Sequence, residues 1–207
     1  MTGDQLAALI ARAMPLLAEA QEELRALDAT LGDGDLGITV AKGAQAVQAA
    51  VQELAPGATP AAVLQAAGRA FASANPSTMA ALTGGALLAA AKEIGEATEL
   101  DRALVLRLGR AAAGRIAERG KAVPGDKTVL DALLPSLEAV QTSPDPDSRA
   151  LLAAAGAAAE VGVHDTAAST SQRGRAAWIG DRGAGTPDPG ATAYVRLLQA
   201  LNDAWPA

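Results

Sequence analysis

Asp28, Asp33 and Asp35 fall within the eight residues Asp28-Ala29-Thr30-Leu31-Gly32-Asp33-Gly34-Asp35, and Leu36-Gly37 follows. Carboxylates this close repel one another and, while ionised, resist desolvation. They are tolerated when fully solvated or when a strongly positive centre sits among them. Mg²⁺, which takes hard oxygen ligands and bridges carboxylates to phosphates, is the usual centre. Asp33 and Asp35 are two apart, so an extended turn points both the same way, and the neighbouring glycines let the backbone fold around an ion. A calcium EF-hand does not fit: counted from Asp33, the sixth position is Ile38 rather than Gly and the twelfth is Ala44 rather than Glu. The plainer alternative is a solvated turn in which one aspartate caps the next helix, but a cap uses one acid and three are present.

Three further segments carry residues suited to phosphate. Residues 172–190, QRGRAAWIGDRGAGTPDPG, combine glycines with Arg173, Arg175 and Arg182 over a length unusual for a helix–helix connection. Arginine forks suit phosphate oxygens. A surface loop in which Arg173 neutralises the end of the preceding helix reads equally well. Asn75-Pro76-Ser77-Thr78-Met79 puts hydroxyls and amides at a helix start, where a phosphate can bind or Ser77 can simply cap. Pro124-Gly125-Asp126-Lys127-Thr128 reads as a helix start in which Asp126 caps and Lys127 offers charge to a phosphate. His164 is the one histidine, placed mid-helix with no triad or metal set around it, and is expected exposed or half-buried.

The elements that must position these segments are helical. Leu6, Ile10, Met14, Leu17, Leu24 and Leu27 recur at steps of three, four or seven. They form one face of a helix that Thr2 or Asp4 caps and Gly32 ends, with Asp28 on its last turn. A second helix is expected over about 35–54 and a third from Thr59-Pro60, in the cap-then-proline order. A fourth covers about 76–97 and a fifth 101–119. The sixth starts at 126–128, with Leu130, Leu133, Leu134, Leu137 and Val140 on its buried side. An alanine-dense seventh covers 147–170, and the last, over 191–204, carries Tyr194, Leu197, Leu198 and Leu201. No stretch alternates with period two and no internal repeat is evident. The pattern predicts an all-α fold, a single domain over 1–207 of about eight helices with the 172–190 loop before the last.

Half of the 207 residues are hydrophobic but only 2% are aromatic, so the core must be Leu, Val, Ile and much Ala. A net charge of -6 and the scarcity of stacking rings argue against a general nucleic-acid binder, while leaving room for a mononucleotide. With no cysteine there is no disulfide, thiolate metal site or cysteine nucleophile. The first residues lack the basic start and apolar core of a signal peptide, and charge interrupts each apolar stretch before the roughly 18 residues of a spanning helix. A cytoplasmic protein with neither membrane nor nucleic acid as partner is expected.

LDATLGDGDLG resembles the LD-x-x-x-GDGD-x-G metal loop of the dihydroxyacetone kinase family, in its nucleotide-binding L subunit or C-terminal Dak2-type domain. GDKTVLDALLPSLEA is similar to that family's GDKT-hydrophobe-x-DAL-x-P segment, and RGRAAWIGDRGAGTPDPGATA to its RGRA-aromatic-x-G…DPGA loop. The resemblance runs from about 27 to 193. It implies a closed antiparallel barrel of eight helices with ATP or ADP at one end and two Mg²⁺ ions held by Asp28, Asp33 and Asp35. It also implies Ser77 or Thr78 near the phosphates, Gly125 and Thr128 among the nucleotide contacts, and Arg175 with Asp188-Pro189-Gly190 beside the nucleotide under a lid formed by the loop. Arg175 joins the aspartates in the transfer itself, and Lys127 adds charge. Leu36 stands where the family commonly has His, and Asn75 to Met79 where it has GGTSG, which widens the expected acceptor from a triose to a triose or tetrulose. The partner implied is a separate K-type subunit that holds the ketose through a histidine, so this chain is expected to be inactive alone. In the alternative role the chain keeps ADP as a coenzyme that a phosphotransferase-system protein rephosphorylates. A non-catalytic helical adaptor is the alternative of a different class, and a homo-oligomer stays open.

Overall fold

A computed structural model describes residues 1–206, with the side chains of Arg175 and Arg182 outside that description. Its helices are α1 (Gly3–Ala18), α2 (Gln21–Leu31), α3 (Leu36–Gln52), α4 (Pro60–Ala74), α5 (Thr78–Ile94), α6 (Arg102–Gly120), α7 (Leu130–Thr142), α8 (Ser148–Ala167) and α9 (Pro189–Asp203). Two short 3-10 turns, Arg175–Trp178 and Gly180–Gly183, lie between α8 and α9. Among the described residues there is no strand, only an isolated bridge between Thr2 and Glu99. No described helix is long and apolar enough to cross a membrane.

The helices close into a ring. α1 packs on α3, each of α3 to α8 packs on the next in order, and α9 returns to α1. The alternation of direction is visible between α1 and α3: Gly3 abuts the backbone of Ala58 and Thr59, whereas Ala11 lies beside Gln48. α2 stands outside this order, packed on α3 and α9 across one end of the ring. At that same end α3, α5, α7 and α9 begin.

The first expected helix is two. At its interruption the amides of Glu19 and Ala20 fall back to the carbonyls of Leu16 and Leu17, three residues earlier, and α2 restarts at Gln21. Thr2 caps α1 in a capping box with Gln5, while Asp4 instead accepts from the amide of Gly57. Pro15 lies inside α1 and cannot donate to Ala11, and the side-chain amide of Gln48 donates to that carbonyl at 3.1 Å. The expected sixth helix starts later, at Leu130, because Lys127 has a left-handed backbone with φ 61° that no helix can include. The remaining helices fall within a few residues of the expected spans.

Leu9, Ile10, Met14, Leu24, Val40, Val47, Val63 and Phe71 fill the side of the ring made by α1, α3 and α4. Across it, Ala132, Ala155, Ala159, Ala191, Val195 and Leu198 join α7, α8 and α9. Small residues let these helices approach closely: a Cβ on Gly162 of α8 would lie 1.9 Å from the carbonyl oxygen of Asp131 on α7. Each fully buried Leu still contributes about 1.5–3 kcal/mol.

Candidate metal and nucleotide site

The acidic turn is held by its own first member. Asp28, on the last turn of α2, accepts the Leu36 amide on Oδ2 at 3.1 Å, and its carbonyl accepts the Gly32 amide at 2.5 Å. The turn between has a left-handed residue at Gly34 (φ 75°), a backbone state that L side chains rarely adopt. Asp35 stands at the N-cap of α3, yet its side chain makes no capping bond there; Asp28 receives the first amide instead. One oxygen from each of Asp28, Asp33 and Asp35 lies within 4.8 Å of the other two, with Asp33 exposed and the others half-buried. An all-oxygen set of three carboxylates fits a hard divalent cation. Behind the turn, a Cβ on Gly37 would lie 2.0 Å from the Gln21 carbonyl, so α3 rests directly on α2. Leu36, at the position where histidine is common in the family resembled, is buried.

The start of α5 belongs to this end of the ring. Asn75 Nδ2 donates to Thr39 Oγ1 on the first turn of α3 at 2.8 Å. Ser77 Oγ accepts from the Ala80 amide at 3.1 Å and so caps α5, and Thr78 is exposed beside it. With α3, α5, α7 and α9 all beginning here, their positive dipole ends and unpaired amides favour an anion.

Around 123–131 the arrangement differs from the expectation in three respects. Asp126 does not cap α7: its Oδ2 accepts from the Val123 amide at 3.0 Å and from Arg173 Nε at 2.7 Å, and these bonds hold its carboxyl below the usual range. Arg173 therefore pairs with Asp126 rather than neutralising the end of α8. Lys127 does not present charge to a ligand. It is 1% exposed, and its Nζ donates to the carbonyls of Ala167 at 2.8 Å, Ser169 at 2.8 Å and Gly183 at 3.0 Å. Those bonds also account for α8 ending at Ala167 instead of 170. Gly125, with φ 92°, and Thr128 both give their amides to Asp131, at 2.5 and 2.8 Å. Asp131 was not among the expected residues. Its signal was present in Thr128-Val129-Leu130-Asp131, a capping-box pattern in which the acid reaches back to the threonine amide.

The loop before α9 folds back on this turn and on α2. The Gln172 amide donates to the Asp126 carbonyl at 3.0 Å, the Gly185 amide to the Ala167 carbonyl at 2.8 Å, and Gly183 packs on Leu31 at the end of α2. The Arg175 side chain, expected beside the nucleotide, lies outside the described residues. Asp188 caps α9 through the Ala191 amide at 2.7 Å, Pro189 opens that helix and Gly190 sits in its first turn. Burial pushes the Asp188 carboxyl up to about 6, with Lys127 pulling it down and Asp131 adding to the rise. The His164 side chain is 90% exposed on α8, as expected, with Asp165 at 3.6 Å.

The DAK2 domain model matches residues 30–203. The chain is 37% identical over 205 residues to D-erythrulose kinase of Mycolicibacterium smegmatis, covering 95% of this chain and 35% of that protein. It is 32% identical over 200 residues to human triokinase/FMN cyclase, covering 95% of this chain and 34% of that protein. It thus spans about a third of the length of these relatives. With the ADP-binding subunit DhaL of the PEP-dependent dihydroxyacetone kinase of Escherichia coli it shares 29% identity over 95% of this chain and 94% of that subunit. The solved dihydroxyacetone kinase of C. freundii superposes with a TM-score of 0.75 at 25% identity, over 97% of this chain and 34% of that one. A second structure of that kinase contains AMP-PNP and Mg²⁺ and gives the same TM-score.

Proposed function

The chain belongs to the DAK2 domain family of the dihydroxyacetone kinases, and from that premise we propose that it is the nucleotide-binding, phosphoryl-transferring unit of a short-ketose kinase. Its acceptor is a triose or tetrulose held by a separate K-type unit, and its donor is ATP. The observation that carries this reading is the cluster of Asp28, Asp33 and Asp35 at the end of the ring where four helices begin. Asp28, Asp33 and Asp35 would hold two Mg²⁺ ions. Bound there, magnesium supplies neutralisation of phosphate charge, the main requirement of phosphoryl transfer.

The chain's own residues do the positioning. Asp28 fixes the start of α3 by accepting the Leu36 amide and contributes an oxygen to the cluster. Ser77 and Thr78 place hydroxyls at the α5 terminus, and Gly125, Thr128 and the Asp188-Pro189-Gly190 turn form the opposite wall for the nucleotide. Arg175 is assigned to the phosphates by the resemblance of its RGRA segment.

Thermal shift with Mg-ADP, with and without chelator, tests the reading. A rise in Tm that the chelator abolishes supports it; no rise favours the adaptor. A second role, ADP held as a coenzyme for a phosphotransferase-system donor, is favoured by the match along 94% of the E. coli ADP-binding subunit. Nucleotide retention separates the two: ADP surviving extensive dialysis supports the coenzyme, and free exchange supports the ATP-dependent kinase.

A further inference from the structure

Two costs coincide at Lys127. Its backbone lies at φ 61°, a left-handed state uncommon for a residue with a side chain, and its ammonium is withdrawn from water. Persisting strain at one residue points to a role that the surroundings enforce. All three ammonium protons are used, on carbonyls that close the end of α8 (Ala167, Ser169) and on Gly183 of the second 3-10 turn. Gly183 in turn packs so tightly on Leu31 that a Cβ there would lie 2.9 Å from Leu31 Cδ2. Leu31 precedes Gly32 and Asp33. Lys127 is thereby one contact removed from the acidic turn, through the loop and not through a ligand.

We propose that Lys127 is a positioning residue that docks the 168–188 segment against the end of α2, beside the carboxylate cluster, with Asp126 as its assistant. Asp126 contributes the second strap: its carboxylate holds Arg173 and its carbonyl holds the Gln172 amide. The segment from Gly125 to Asp131 is on this account the anchor of the loop, which explains why Lys127 is turned inward onto backbone carbonyls. The importance of that anchor for ligand binding rests on the nucleotide reading above.

The test compares full-length Lys127→Met with wild type by hydrogen exchange across residues 172–186 without nucleotide, and by affinity for Mg-ADP. The expected result is at least tenfold faster exchange in that segment, unchanged protection in α3, α4 and α5, and Mg-ADP binding at least tenfold weaker. Val63→Ala, a core truncation in α4, controls for general destabilisation and is expected to leave both readouts unchanged even at equal loss of Tm. Should Lys127→Met fail to fold, Asp126→Ala removes the second strap, the Arg173 pairing, with the lysine intact and is expected to shift both readouts in the same direction. Unchanged exchange in the segment overturns the anchor, and faster exchange with undiminished Mg-ADP affinity overturns its positioning role. Wild type that fails to bind Mg-ADP refutes the nucleotide reading alone, and the exchange comparison then still decides whether Lys127 anchors the loop.

Discussion

Asp33 and Asp188 separate two demands on a carboxylate at the single-residue scale. Asp33 is exposed, so Asp33→Asn is expected to leave the unfolding free energy of the nucleotide-free chain within about 0.5 kcal/mol of wild type. Mg-ADP affinity is expected to fall tenfold or more, since even residues behind a metal's ligands are worth about 10–100-fold. Titration calorimetry checks this, and an unchanged affinity would count for the adaptor. Asp188 is the opposite case, a half-buried cap whose carboxyl is raised by desolvation from 3.8 to about 6. The folded chain binds this proton more tightly than the unfolded chain, so between those values stability falls as pH rises. Asp188→Asn keeps the Oδ1 acceptor and removes the charge. In nucleotide-free melts its Tm should exceed that of wild type at pH 7, and the gap should close toward pH 4. A gap that ignores pH would contradict the burial of a charge at this cap. Ser171 offers a milder check: its hydroxyl is buried without a hydrogen-bond partner among the described residues, so Ser171→Ala is expected to be neutral or slightly stabilising in the same melts.

Helices meet the site through glycines, and the one beside the acidic turn is Gly37 of α3 against the backbone of α2. Because the facing atoms are main chain, Gly37→Ala must push the two helices apart. It is expected to cost about 1–3 kcal/mol in chemical denaturation and to weaken Mg-ADP binding as well, since α2 carries Asp28. Retention of full affinity would mean that α2 and the acidic turn move independently. At this scale the periodic Leu and Ala faces made the helices legible, and Thr59-Pro60 marked the start of α4 directly. Where the spans missed, the cause was tertiary: α8 gives up its last turn because Lys127 takes the Ala167 and Ser169 carbonyls, and α7 starts late because Lys127 is left-handed. The acidic turn was legible because three carboxylates and their glycines are contiguous. The inward turn of Lys127 was not, because its partners are 40 to 56 residues away along the chain.

For the molecule as a whole, the role proposed above is that of a nucleotide-binding unit whose ketose is held elsewhere. Purified chain given ATP and either dihydroxyacetone or erythrulose is expected to show no ketose phosphate by coupled assay, and a K-type partner should restore turnover. Robust turnover by the chain alone would show that it binds the acceptor itself. The ring of helices bears on how this site is completed during folding. Nearly every pairing in the ring is between neighbours along the chain and forms cheaply; the seam of α9 with α1 and α2 joins the two extremities, tied at Arg12 Nε to the Ala204 carbonyl at 3.1 Å and at Arg196 to Glu23. Since α9 also brings the Asp188 turn, a chain whose seam has opened keeps most of its helices while losing one wall of the proposed nucleotide cradle. Ligand would then act as a clasp, drawing shut the latest-formed joint, and native-state exchange at the α1–α9 seam should slow when Mg-ADP is added.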